Sequence, residues 1–479
     1  MPGGDRLRRA RDHPGLALFA VLWALAAMWH VLGNTGGSQD WAHVLLVLSA
    51  GWVLWEPGEV RALGALAFAG MLTVWAEAPV LGNHWLLVGL VDLAILVSIG
   101  VGALRRLPWH RGDLATRLFP TARLCVLAFY AFAAFAKLNA AFFDRRVSCA
   151  VYYFEESTSS LGLEALQLDG AGWLQHAVIF ATAGIELSIP VLLVWRRSRN
   201  VGVLVALLFH GVLALDRTHQ FVDFSSVLTA LFLLFLPATA GTWLAERVGS
   251  VTARLALRHD RLPMLVHLVL AAPPVAAGLL VTSGRLGADE ARSVAWWSWQ
   301  ATLVIVIALV VRFLRQGPPA PARGALRAHH VVYLLVPLLA VLNGLTPYLE
   351  VKTGYGWNMY ANLRTVDGDS NHFLVRGTLP LTDQHGDLVE IVRSGDPALQ
   401  RYGRQDYALT FTQLRAYLSD HPEVSLVYRR GDELVSLQRA ADRPELVEPL
   451  PIWREKLLLF RAVDLQSPER CVPTFGPAR

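Results

Sequence analysis

Three polar positions set into apolar stretches carry the chemistry this chain could do. Asn83-His84 opens the run Asn83-His84-Trp85-Leu86-Leu87-Val88-Gly89-Leu90, Lys137 lies near the end of the run 130–139, and His210 falls late in the run 201–215. An ammonium in such a context costs at least a few kcal/mol unless it is paired or hydrated, so an ionisable group there is a functional hypothesis by default. Desolvation in an apolar cavity disfavours the ammonium and makes a free amine available as a base. A histidine across that cavity can donate to an oxyanion, and Asn83 supplies a second donor. A lipid-soluble, weakly acidic hydroxyl compound suits such a site because it arrives laterally from the bilayer. A quinol has those properties.

Each residue also has a plainer reading. Lys137 could snorkel to an interface, His84 could cap a helix, and His210 could be a hydrogen-bonded packing residue. Asp216, Arg217 and Asp223 could form a solvated turn with a local ion pair. Asp92 and Glu186 read as deeper residues, neutral or paired for helix association.

The elements that must position these groups are membrane helices. The chain has 479 residues, 54% hydrophobic and 17% charged, with mean hydropathy +0.40. That composition points to a polytopic membrane protein. Eleven segments reach or approach the length needed to span roughly 30 Å of hydrocarbon. They are 15–31, 41–55, 62–80, 85–104, 118–139, 173–195, 201–215, 221–237, 262–281, 294–313 and 330–345. No cleavable signal peptide is expected.

The net charge of +5 does not signal nucleic acid, because the arginines fall in alternate short connections. Arg6, Arg8, Arg9 and Arg11 precede the first segment, Arg105 and Arg106 follow the fourth, and Arg196 and Arg197 the sixth. This pattern predicts a multi-pass cell-membrane protein with a cytoplasmic N-terminus and an extracytoplasmic C-terminal part. Asn83-His84, Lys137, His210 and the group Asp216, Arg217, His219, Gln220 and Asp223 then share one depth at the outer face. Cys149 and Cys471 also lie outside, either as a disulfide or as two free thiols, whereas Cys125 reads as a packed apolar residue.

The predicted division is a helical membrane domain over 1–345 and a small α+β extracytoplasmic module over 346–479. In the module, β-like runs occur at 372–376, 388–393 and 424–430. The last turns at Gly431-Asp432 into 434–438 as a hairpin, and 410–418 reads as a helix. The module has no phosphate loop, no Cys/His metal spacing and no nucleophile elbow. No internal repeat is apparent, which argues against a transporter.

Four motifs in order resemble the vitamin K-dependent gamma-carboxylase and the wider bacterial family with a horizontally transferred transmembrane domain. Asn83-His84-Trp85-Leu86-Leu87-Val88-Gly89-Leu90 looks like its Asn-His-x-x-Leu-x-Gly-Leu segment. Phe135-Ala136-Lys137-Leu138-Asn139 resembles its Lys-Lys-Leu-Asp. Phe209-His210 is similar to its Phe-His before a Phe- and Ser-containing stretch. Gly354-Tyr355-Gly356-Trp357-Asn358-Met359, followed by Asn371-His372, looks like its Gly-Tyr-Ser-Trp-Asp-Met segment.

The resemblance implies that Lys137 is the base toward a quinol, that His84 and Asn83 steady the oxyanion, and that His210 supports the site. Asn139, His219, Asp223, Trp357 and Asn358 are the expected quinol-binding positions. Dioxygen would convert the quinol to an epoxide, and the strong base formed on the way would allow carbon dioxide to add to a glutamyl residue of a protein or peptide at the outer face. No metal is implied. The family's disulfide between an early lumenal loop and the segment after its membrane part makes a Cys149–Cys471 pair less surprising. Here Ala136 replaces the first lysine, Asn139 and Asn358 replace aspartates, and a small module replaces the large lumenal domain. The alternatives are a transporter or lipid-binding protein that uses the outer cavity only for binding, and a scaffold whose module binds a protein.

Overall fold

With no charged side chain among its 20 residues, Pro14–Gly33 (α1) has no solvent-facing stripe. A helix that is apolar all round must be buried or lipid-facing. In the computed structural model, which describes residues 13–33, 41–105, 111–163, 172–217, 221–256, 272 and 274–471, α1 is mostly buried at the centre of a helical bundle.

Around it stand Trp41–Trp55 (α2), Val60–Glu77 (α3), Asn83–Leu104 (α4) and Arg111–Ala136 (α5). Cys149–Ser160 (α6), Gly172–Val194 (α7), Arg199–Leu213 (α8), Phe221–Leu233 (α9) and Thr239–Ala256 (α10) follow. Ala288–Leu314 (α11) and Leu335–Leu345 (α12) complete the set.

Among the described residues, six helices are long and apolar enough to cross a membrane: α1, α3, α4, α7, α11 and the stretch Asp113–Ala136 of α5. The expectation of eleven full spans is therefore revised. Segments 41–55, 201–215, 221–237 and 330–345 form shorter apolar helices. Of 262–281 only the end is described, and it is helical from 274. Length alone misjudged α9. Its 13 residues cover about 20 Å at the helical rise, and Phe221 through Phe232 are all buried. It is a core helix lodged against α1 and α8 rather than a lipid-facing span.

One end of the bundle carries the rest of the chain. The backbone amide of Trp357 donates to Asn83 Oδ1 at the start of α4, and Lys456 Nζ donates to the Ala78 carbonyl after α3. Cys149, opening α6, is disulfide-bonded to Cys471 with their Cα atoms 4.9 Å apart. Of the two sequence alternatives, the disulfide is the one formed. Cys125 is free and buried. At the opposite end, Arg105 meets His330 and Arg196 donates to the Pro321 carbonyl.

The C-terminal part is an antiparallel five-stranded sheet in the order β6-β5-β3-β4-β7. Its strands are Leu388–Ser394 (β3), Tyr407–Thr410 (β4), Leu426–Arg430 (β5), Glu433–Leu437 (β6) and Val463–Asp464 (β7), with Thr365–Val366 (β1) and Asp369–Ser370 (β2) as a separate ribbon. The expected hairpin is present, with Arg430 paired to Glu433 across Gly431, whose φ of 58° suits glycine. The helix expected at 410–418 is Phe411–Asp420, capped by the Thr410 hydroxyl. The run at 372–376 makes only an isolated bridge, between His372 and Asn139. The sheet has its own core around Val389, Leu414 and Tyr428. Trp357 and Met359, by contrast, pack into the helical core.

His385 lies buried beside the sheet, stacked on Phe460. Although Glu350 is 3.8 Å away, that carboxylate already accepts from the Asp367 and Gly368 amides and the Thr378 hydroxyl. Burial, helped by the Arg364 charge, therefore wins and pulls the imidazole down from 6.5 to about 4. The unfolded chain takes up this proton as pH falls through 6.5 and the folded chain refuses it until about 4. The stability of the C-terminal part should accordingly fall over that window, and denaturant midpoints measured between pH 7 and pH 4 should decline less in His385→Phe.

Candidate active site

At the end of α5 the chain turns over at Lys137, and Asn139 starts the single turn Ala140–Phe143 by accepting from the Phe142 amide at 2.8 Å. The Asn139 amide group donates to the carbonyls of Ala136 and Ala361. It is fully buried and occupied by backbone, so its part is to hold two segments together rather than to bind a quinol.

Lys137 is 3% exposed. Its Nζ lies 2.8 Å from Glu186 Oε2, 3.2 Å from the Met359 carbonyl and 3.4 Å from that of Ala133. Three acceptors thus stand within reach of its three N–H bonds. Glu186 comes from α7, where Pro190 lacks the amide that would bond the Glu186 carbonyl. Such a pair, in a low-dielectric site, is costly to break from either side.

Between α5, α6, α7, α8 and α9 lies a cavity of about 320 Å³, of ligand-site size. Phe129, Phe154, Phe209, Phe221 and Phe224 form much of its wall, and Lys137, Glu186, His210 and Tyr130 reach it as polar groups. His210 is fully buried, and its Nε2 contacts the Tyr130 hydroxyl. Its Nδ1 has no partner among the described residues. An orphaned buried imidazole nitrogen facing a cavity calls for a ligand or water. Tyr360 also borders the cavity; burial pushes its phenol up to about 12, so it remains a hydroxyl near neutral pH.

Neither Asn83 nor His84 borders this cavity. The Phe224 ring is 5.4 Å from the His84 ring and 4.7 Å from the His210 ring, centroid to centroid. Asn83 Oδ1 is engaged by the Trp357 amide at 3.1 Å, and His84 Nε2 is 2.9 Å from Asp223 Oδ2. The same Asp223 oxygen lies 2.7 Å from His30 Nδ1. These residues set helix positions, and the direct oxyanion contacts expected of them are not formed.

The segment bearing Trp357 is strained. Glu350, Tyr355, Trp357, Tyr360 and Asn362 all have φ between 48° and 55°, a region non-glycine residues rarely occupy. Each such residue costs on the order of 1 kcal/mol and persists only where its surroundings dictate it. Here they do. Asn83 holds the Trp357 amide, Ala340 accepts from the Trp357 indole, Lys137 and Asn139 hold the carbonyls of Met359 and Ala361, and Asn362 accepts from the Cys149 amide. Trp357 is fully buried and outside the cavity wall, and Asn358 donates to the Thr353 carbonyl. Both are architectural. His219 lies outside the described residues.

Sequence reasoning passed over Tyr130, His30, His43 and Glu77 and set Glu186 aside as deeper. Glu186 could have been found by asking what neutralises Lys137, since a lone buried ammonium demands a carboxylate. No family model, curated protein or solved structure matches the chain.

Asn83→Leu should leave the Trp357 amide buried without an acceptor and lower stability by about 1–3 kcal/mol, read as a lower melting temperature in detergent. Asn83→Asp keeps the acceptor and should lose less.

Proposed function

We propose that this chain is a membrane enzyme acting on a lipid-soluble quinol held in the cavity beside Lys137. The observation that supports this is a largely apolar, aromatic cavity whose lining includes an ion pair and an imidazole with a vacant nitrogen, together with several hydroxyls. Aromatic walls suit a flat ring, and a small number of polar groups among them suit its hydroxyls.

The Lys137–Glu186 pair acts as the base. A proton shift within the pair gives an amine beside a neutral acid, and the cost of keeping two charges in a dry site lowers the cost of that change. The amine then takes the quinol hydroxyl proton and, as ammonium, faces the new oxyanion, while His210 hydrogen-bonds the same ring. In the reaction suggested by the resemblance to vitamin K-dependent gamma-carboxylase, quinol and dioxygen give quinone epoxide and water. One oxygen atom enters the ring and the other is reduced to water. Carboxylation of a glutamyl residue by carbon dioxide is the coupled step that the resemblance adds.

In this reading the N-terminus is cytoplasmic and the sheet part extracytoplasmic. The arginine pattern supports that orientation, as does a disulfide at the sheet-bearing end, since disulfides persist in oxidising compartments.

Purified chain supplied with vitamin K hydroquinone or reduced menaquinone and dioxygen should form epoxide, detected by mass spectrometry. Lys137→Ala and Glu186→Gln should each cut turnover by about 10²-fold or more, and His210→Ala by less. Undiminished turnover in Lys137→Ala would remove the assigned role. Quinol retained unchanged by the wild type would favour a binding protein.

A further inference from the structure

Beyond Asp223 the polar chain continues away from the cavity. His30 Nε2 lies 2.8 Å from Glu77 Oε1, and His43 Nε2 lies 3.0 Å from the same oxygen. The three residues come from the last turn of α1, the first turn of α2 and the end of α3. One ligand atom from each lies within 4.8 Å of the other two, and among the described residues no other such group occurs. His30 and His43 are buried, and the Glu77 side chain is 11% exposed.

We infer that His30, His43 and Glu77 bind a divalent first-row transition-metal ion. Two imidazoles and one carboxylate are the donor set of three-ligand zinc sites and of the facial triad that holds ferrous iron. Ligands at about 2.0–2.1 Å from a zinc-like ion stand roughly 3.3 Å apart in a tetrahedral arrangement. The two contacts to Glu77, at 2.8 and 3.0 Å, need open by only about 0.5 and 0.3 Å to reach that spacing. Three protein ligands leave a coordination position for water or another small molecule.

The surroundings carry the argument further than the donor set alone. A metal-bound imidazole characteristically gives its second ring N–H to a carboxylate, which fixes its tautomer and plane. His30 has that carboxylate in Asp223, 2.7 Å from Nδ1, and its ring lies flat on Trp85 at 3.5 Å between centroids and 7° between planes. Without an ion, each ring nitrogen of His30 lies within hydrogen-bond distance of a carboxylate oxygen. With an ion at Nε2, His30 is a neutral imidazole donating through Nδ1.

The inference does not depend on the quinol reading, because the ion alone is the probe. Full-length protein in nanodiscs, stripped with chelator, is titrated separately with zinc, with ferrous iron under anaerobic conditions, and with cobalt for its visible spectrum. One ion per chain is expected, with cobalt showing the absorption of a low-coordinate N/O site. His43→Ala and Glu77→Gln should weaken binding by about 100-fold or more and Asp223→Asn by about 10–100-fold, whereas Lys137→Ala should retain one ion. Zinc should also raise the melting temperature of the wild type but not of Glu77→Gln. Failure of the folded wild type to hold any of the three ions would overturn the proposal, and so would equal retention by folded His43→Ala and Glu77→Gln. Should those variants not fold, the wild-type stoichiometry and cobalt spectrum decide it.

Discussion

Asp223 is a single carboxylate on α9 that meets His30 from α1 and His84 from α4 through the same oxygen. Those helices are remote in sequence, and apolar contact alone leaves them free to slide, since lipid is as apolar as a leucine side chain. A buried hydrogen-bonded charge removes that freedom. Displacing both histidines would leave an unpaired carboxylate in a dry interior, at a cost of several kcal/mol. The length of α9 follows from this demand. A short core helix can bring its first turn, with Asp223, to the level of two longer helices, and its apolar remainder is buried on all sides.

From that level the geometry propagates along the chain. His84 fixes the start of α4, so Asn83 stands where its oxygen takes the Trp357 amide. Trp357 belongs to a segment with four left-handed non-glycine residues between Tyr355 and Asn362. Such a backbone does not hold itself, and its clamps come from several sources: Asn83, Asn139, Lys137, the Ala340 carbonyl and the Cys149 strand of the disulfide link. The result is a carbonyl of Met359 aimed at the Lys137 ammonium. The third N–H of that ammonium is satisfied by a segment more than 200 residues away, which explains how a lysine can rest in an apolar bundle.

Much of this was legible in the residues themselves. Apolar runs located the helices, arginine-rich connections separated the two ends, and the shared depth of Asn83, His84, Lys137, His210 and Asp223 pointed to one region. The hairpin at Gly431-Asp432 followed from turn chemistry. Two things were hidden. Hydropathy could not distinguish a short buried helix from a span, because α9 is as apolar as a lipid-facing segment. Roles within the cluster depended on side-chain direction, which a depth argument does not contain. Asn83, Asn139, Trp357 and Asn358 have the right types for ligand binding, yet each is spent on backbone groups that irregular chain leaves unsatisfied. His30, His43 and Glu77 obey the same depth rule as the residues that were singled out, at the ends of the first three helices. Only their lack of a motif kept them from notice.

The two polar centres differ in the kind of charge they hold. Around Lys137 one ammonium faces one carboxylate, a balanced pair whose proton can move without changing net charge, beside a cavity large enough for an organic molecule. Around His30 two carboxylates, Glu77 and Asp223, face three imidazoles. Buried carboxylates in a dry helical bundle are tolerated only when protons, hydrogen bonds or a cation offset their charge. A balanced pair favours proton transfer, and carboxylates ringed by imidazoles offer the donor set of a cation site. The ring of Phe224 touches both centres, 5.4 Å from the His84 ring and 4.7 Å from the His210 ring, and presents each with an apolar neighbour.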